Sequence, residues 1–172
     1  MASPAFTERL NMNEEIEIAE AGLADAAAVA KLSYQVGKMH DEALPDYFYP
    51  TGEREHLDII RKMLKDEKAF VLKAVCGGKI CGFACLYVQD RPRKGFVCSK
   101  IGYIYNFGVD EACRGRGIGT KLLTATEEYL RQKGVEAADL NVFCFNRRAL
   151  SFYKKCGYDE IDVNLRKVLR EK

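Results

Sequence analysis

One short passage limits the possible folds more than any other part of the chain: Val109-Asp-Glu-Ala-Cys-Arg-Gly-Arg-Gly-Ile-Gly-Thr120. Before it, Ile101 to Val109 alternates apolar and aromatic residues (Ile101, Tyr103, Tyr105, Phe107, Val109) as one face of a strand does. After it, Ile118, Leu122, Ala125 and Tyr129 recur at helical spacing until Gly134. A strand therefore feeds a helix through a turn with glycines at 115, 117 and 119. Glycines let successive amides turn toward one point, and the helix dipole adds partial positive charge there. Arg114 and Arg116 add full charges. The passage is expected to hold a phosphate or pyrophosphate. A plain glycine-rich turn beside two solvated arginines would not need three glycines opening an amphipathic helix.

The rest of the chain supplies a mixed α/β frame. Ile16 to Ala19 alternates as a short strand, and Val29, Leu32 and Val36 mark a first helix. His40 to Pro50, with two prolines and three consecutive aromatics, is expected to break that helix as an ordered loop. Thr51 is expected to cap a second helix carrying Leu57, Ile60 and Leu64. Phe70 to Val75 and Lys79 to Val88 read as a hairpin turned by Gly77-Gly78, and Asp90 to Gly95 reads as a basic connection. A strand from Ala138 to Phe143, a helix from Arg147 to Lys155 and a last strand from Tyr158 to Leu169 complete the order β-α-α-β-β-β-α-β-α-β. Residues 1–15 read as a loose leader and 16–172 as a single domain.

Composition narrows the functional classes. Lys plus Arg number 27 against 25 Asp plus Glu, a net charge of +2, so neutralising a nucleic-acid backbone is not this chain's main task. No apolar run reaches the ~18 residues needed to cross a bilayer, so no membrane partner is expected. The seven cysteines sit mostly in apolar stretches without a secretion signal, which suggests reduced thiols in the cytoplasm. No C-x-x-C pair occurs and both histidines are distant from the cysteines, so no metal is expected. Cys144 reads as a small buried thiol, and Cys113, beside Arg114, as a somewhat reactive one.

The phosphate ligand is narrowed by spacing. A Walker loop needs Lys before Thr, whereas Thr120-Lys121 is reversed, and a dinucleotide loop needs G-x-G-x-x-G directly after the strand. The sequence instead resembles the GNAT superfamily of acyl-CoA-dependent N-acetyltransferases. Arg114, Gly117 and Gly119 match its loop [QR]-x-x-G-x-[GA]. Asn146, Ala149, Phe152, Tyr153, Gly157 and Tyr158 match N-x-x-A-x-x-[FY]-Y-x-x-x-G-[FY]. The resemblance implies the GNAT fold, a mixed, mostly antiparallel twisted sheet flanked by helices. It implies acetyl-CoA as co-substrate, with the backbone of Phe107 and Val109 pairing with the pantetheine arm. Arg114, Gly115, Arg116, Gly117, Ile118, Gly119 and Thr120 would hold the pyrophosphate, and Asn146 would help fix the pantetheine. Tyr153 would sit near the sulfur and protonate the departing thiolate, a fitting role for a phenol of pKa ~10 facing a thiol of ~8.5.

One departure stands out. Family members often carry a Glu base on the strand before the loop, but Ile101 to Val109 holds no acid, and Tyr103, Tyr105 and Asn106 occupy the plausible positions. His40, Glu42 and Asp46, a tyrosine, or water remain candidates for the base, and His56 reads as a helix-surface histidine. The expected activity is acetyl transfer from acetyl-CoA to a primary amine by direct attack in a ternary complex, the acceptor being a small molecule or a protein N-terminus. A non-catalytic acyl-CoA sensor is the alternative that the missing carboxylate motivates. Sheet edges leave room for a homodimer.

Overall fold

Five strands, β1 (Ile16–Glu20), β2 (Ala69–Cys76), β3 (Lys79–Asp90), β4 (Lys100–Val109) and β5 (Ala137–Leu140), pair in sequence order into one sheet. β1 to β4 are antiparallel neighbours, and β5 joins β4 in parallel. The computed structural model describes residues 15–90 and 97–169. The expected leader and the 90–95 connection therefore lie almost wholly outside the described residues. The chain divides into two compact units, Met1–Asn141 and Val142–Lys172.

In the first unit, α1 (Ala26–Ala43) and α2 (Glu53–Met63) cover one face of the sheet, and α3 (Ile118–Gln132) covers the other. Val29, Leu32, Ile60 and Met63 pack with Val71, Phe83 and Cys85, all buried. Gly82, next to Phe83, points the other way, and a Cβ there would meet Ile118 at 3.4 Å. Gly77 and Gly78, at φ 58 and 73, form the expected two-residue hairpin turn.

Three local expectations change. α1 runs through to Ala43, so His40 and Glu42 lie on its last turns instead of in a loop, because no proline interrupts the chain before Pro45. The N-cap of α2 is Gly52, whose amide donates to Glu55 Oε2 at 3.0 Å, while Thr51 is engaged elsewhere. The alternation along β4 is broken by a bulge. Cys85 faces Asn106 and Leu86 faces Ile104, leaving Tyr105 as the extra residue. Since Tyr103 opposes Tyr87 and Phe107 opposes Ala84, the two aromatics fall on opposite faces of the sheet. The expected single face of Ile101 to Val109 is therefore split.

In the second unit, α4 spans Arg147–Lys155, with Asn146 as its N-cap and Gly157 at φ 91 after its end. The last strand expected from Tyr158 to Leu169 does not form. No described strand forms a ladder with that segment, and Ile161, Val163 and Leu165 are 80%, 77% and 88% exposed. Alternation alone cannot make a strand whose N–H and C=O groups lack a neighbouring edge.

Candidate active site

β4 delivers the chain into the glycine passage. Asp110 caps a single 3-10 turn, Glu111–Cys113, by accepting from the Ala112 amide at 3.1 Å. Lys79 Nζ holds the other carboxylate oxygen at 3.2 Å, and that bond raises the lysine pKa. Gly115 and Gly117 then take φ 78 and 75, and Gly117 is the N-cap of α3. A Cβ on either glycine would meet nothing within 4 Å, so these glycines serve backbone conformation beside open space, not packing. Gly119 lies inside α3 without positive φ, so only two of the three glycines are required by conformation. The first bond of the helix runs from the Lys121 amide to Gly117 O at 3.0 Å. The amides of Ile118, Gly119 and Thr120 therefore precede the intrahelical ladder and remain available to an anion.

Arg114 is partly committed to the turn. Its Nε donates to Val109 O at 3.1 Å and its Nη1 to Glu111 Oε1 at 3.0 Å, bracing the passage that it was expected to charge. Arg116 is half-buried.

The sheet opens beside this turn. β5 pairs with β4 only from Ile101 to Ile104 and ends at Leu140, while β4 continues to Val109. From Tyr105 onward β4 has β3 on one side and, among the described residues, no strand paired on the other, an edge that includes Phe107 and Val109. An extended polar chain laid along it could pair as an added strand and arrive at the α3 N-terminus.

The second unit carries the other motif residues. Asn146 Oδ1 accepts from the Ala149 amide at 3.1 Å, so the spacing of Asn and Ala in the motif is first of all a helix cap. Tyr153 is 8% exposed, its ring edge-on to Phe152 and Tyr158 at centroid distances of 5.2 and 5.6 Å. Burial pushes its phenol well above the usual tyrosine range, so it stays protonated.

Among the base candidates, His40 stacks on Phe48 at 6.0 Å, and burial lowers its pKa against the opposing effect of Asp41. Glu42 lies 3.8 Å from Lys38, both side chains mostly exposed, and Asp46 is exposed. Tyr105 is half-exposed, with its ring edge-on to Tyr87 at 6.0 Å. Sequence reasoning missed His56, which is 8% exposed and not on the surface. Its Nδ1 lies 2.8 Å from Ser33 Oγ and its Nε2 3.1 Å from Thr51 Oγ1, while Asn106 Nδ2 donates to Ser33 Oγ at 3.0 Å. Two signals were present in the sequence. His56 shares the helix face of buried Ile60 and Met63, and Gly37 interrupts α1 where a Cβ would lie 2.6 Å from His56 Nε2.

Both thiol expectations are reversed. Cys113 is fully buried against Cys81, whose own thiol burial pushes up to about 12, so neither is an accessible nucleophile. Cys144 is exposed, because β5 ends at Leu140 and leaves Cys144 in a turn. Among the described residues, no group of three His, Cys, Asp or Glu could hold a metal ion, and no helix is long and apolar enough to cross a membrane.

Comparison with known proteins adds an independent line. The family model described as Acetyltransferase (GNAT) family matches residues 36–158. The uncharacterized N-acetyltransferase YhfO of Bacillus subtilis is 31% identical over 147 residues, covering 84% of this chain and 91% of that one. The chain spans only between 33% and 55% of three other curated relatives, among them a mycothiol acetyltransferase of Saccharomonospora viridis at 30% identity over 58% of this chain. Among solved structures, a mutant of the BH1408 protein from Bacillus halodurans superposes with a TM-score of 0.82 at 29% identity, covering 90% of this chain and 99% of that one. The aminoglycoside N-acetyltransferase AAC(6')-Iy in complex with CoA superposes with a TM-score of 0.73 over 93% of this chain and 96% of that one. At 17% identity, it shows a shared fold.

Proposed function

The chain belongs to the GNAT family of acetyltransferases, and on that footing we propose that it moves the acetyl group of acetyl-CoA to a primary amine by direct attack in a ternary complex. The observation that carries the reading is the continuity of three features in the first unit. The open β4 edge at Phe107 and Val109 leads directly into the positive-φ glycines, and these lead into the unpaired amides of α3. An extended arm ending in a pyrophosphate fits that order of donors and acceptors, and an isolated phosphate would use only its end.

Acetyl-CoA supplies an acetyl group activated as a thioester. The β4 edge binds its arm, and the amides from Gly115 to Thr120, with Arg116, hold its pyrophosphate, while the Arg114 amide closes the turn on Glu111 O. Asn146, once its Oδ1 has capped α4, keeps an amide N–H to offer the pantetheine. The amine nitrogen forms a bond to the carbonyl carbon as the carbon–sulfur bond breaks. Tyr153 donates its phenolic proton to the departing sulfur, for which a protonated, buried hydroxyl is suited. This role rests on its register in the Asn146–Tyr158 motif, and the 36–158 family match spans both units. The amine must lose a proton, and β4 offers no carboxylate for it. His40, held neutral by burial, is the candidate that can accept one at neutral pH. The acceptor class is a small amine. The mycothiol and aminoglycoside acetyltransferases among its relatives and fold neighbours have small-molecule names.

A panel of primary amines, including amino sugars, polyamines and peptide N-termini, incubated with the chain and acetyl-CoA tests the proposal by thiol release and product mass. Acetylated product with equal thiol release supports it. Tight acetyl-CoA binding with no product across the panel would favour the sensor reading that the acid-free strand motivates.

A further inference from the structure

The hydrogen-bonded chain Asn106–Ser33–His56–Thr51, with Ser33 and His56 buried at its centre, joins β4, α1, α2 and the segment between the helices, and the reaction outlined above does not use it. We propose that His56, acting through Ser33, sets which edge of the Asn106 carboxamide faces the acceptor amine, making His56 and Ser33 positioning residues for that substrate. The inference rests on the amine-acetylation reading. Asn106 lies one residue past the β4 bulge, on the strand where the family's base is expected and is missing.

Proton counting gives the direction. Ser33 and His56 are 2% and 8% exposed, so their polar atoms must find partners within the protein. With a neutral imidazole protonated at Nε2, every bond has one proton: Asn106 Nδ2–H to Ser33 Oγ, Ser33 O–H to Nδ1, and Nε2–H to Thr51 Oγ1. This leaves Asn106 Oδ1 as the edge offered away from Ser33. An imidazolium donates at both nitrogens. Ser33 Oγ must then accept from Nδ1, and in the proposed relay its own proton turns to Asn106, the other partner in the chain, whereas a turn to the α1 carbonyl one turn back would leave the carboxamide as it is. The bond to Asn106 requires Oδ1 to turn inward and Nδ2 outward. Protonating His56 thus exchanges an acceptor for a donor at the edge of β4. An outward Oδ1 receives an N–H of the incoming amine and aims its lone pair, whereas an outward N–H opposes it.

The groups around His56 fix its resting state. Asp41 on α1 and Glu55 on α2 favour the imidazolium, while the Tyr34 ring stands edge-on at 5.8 Å and burial opposes the charge. Burial is the larger effect, so the pKa is lowered and the ring is neutral at neutral pH. Thr51 is itself fixed, its amide donating to Asp41 Oδ2 at 3.1 Å. Gly37 keeps the space that the imidazole fills.

The test uses the full chain and needs no variant for its first result. Long-range proton–nitrogen NMR resolves the two histidines, assigned with His40→Gln, and the Asn106 side-chain amide, assigned with Asn106→Ser. His56 is expected as the Nε2–H tautomer at neutral pH. The Asn106 amide shifts should follow the His56 midpoint as the solution is acidified from about pH 8 to about pH 5. In Ser33→Ala, or in Ser33→Val if the alanine variant is unstable, the two titrations should separate. An Nδ1–H tautomer, or an Asn106 amide indifferent to His56, overturns the proposal whatever the enzyme's activity. In the kinetic arm, the amine turned over fastest in the panel should show KM rising about fivefold as His56 protonates, the loss of about one hydrogen bond, beyond the pH dependence that Ser33→Ala retains from His40 and from the amine itself. A KM that ignores the His56 midpoint while the amide turns would also overturn the positioning role. If no amine is acetylated, the acetyltransferase reading fails, and the spectra still decide the relay.

Discussion

Replacing Gly117 by Asp isolates the electrostatic part of the candidate pyrophosphate site. At φ 75 any side chain costs ~1–2 kcal/mol of backbone strain, but a Cβ there meets nothing within 4 Å, so no packing is lost. A carboxylate at the α3 N-terminus recovers ~0.3–1 kcal/mol from the helix dipole, so melting should fall by no more than a few degrees. Binding should suffer far more. A carboxylate ~5 Å from a phosphate charge, at an effective dielectric of ~20, is repelled by ~3 kcal/mol, which salt reduces to ~2. The dissociation constant for acetyl-CoA should rise about 30- to 150-fold. Gly117→Asn is the matched control, because asparagine tolerates left-handed backbone and adds the same bulk without charge, so it should weaken binding only a few-fold. Calorimetry on both folded variants at two salt concentrations separates the terms. Equal affinities for Asp and Asn, or a difference that salt leaves untouched, would refute a phosphate at this turn.

Tyr153→Phe should leave melting and acetyl-CoA affinity nearly unchanged while slowing single-turnover acetyl transfer by roughly ten- to a thousandfold, and less with a more acidic thiol as leaving group. Wild-type rates would make the hydroxyl structural. Gly37→Ala places a Cβ 2.6 Å from His56 Nε2 and 2.7 Å from Cε1, so overpacking of ~1–3 kcal/mol should outweigh the ~1 kcal/mol gain in helix propensity and lower the denaturation midpoint. A stabilised variant would mean that the imidazole moves freely. Burial holds the His56 pKa below its unfolded value near 6.5, so the unfolded state binds more protons between the two values. Stability from this group is complete above pH ~6.5 and declines as pH falls toward the folded pKa, by up to ~1.4 kcal/mol per pH unit. Urea titrations of His56→Gln should show a flatter acid limb than wild type.

Local chemistry was legible in the sequence wherever it is decided locally. Gly77-Gly78 specified the β2–β3 hairpin, because only positive φ closes a two-residue turn with the right twist. Asn146 and Gly157 bracket α4 at the expected residues, since caps act within one turn of the helix. The strand, glycine turn and helix from Ile101 to Gln132 were readable for the same reason, and with them the family. What depends on a distant neighbour was not readable. The bulge at Tyr105 arises from register against β3, and it moves Phe107 to the face opposite Tyr103. The open edge of β4 exists because β5 stops at Leu140. Tyr158 to Leu169 alternates like a strand, yet forms no strand ladder with any described residue. His56 looked like a surface residue because a helical wheel shows which residues share a face, not what that face meets. Only tertiary packing brings Ser33, Thr51 and Asn106 to one imidazole, since hydrogen bonds across 23 and 73 residues leave no period in the sequence.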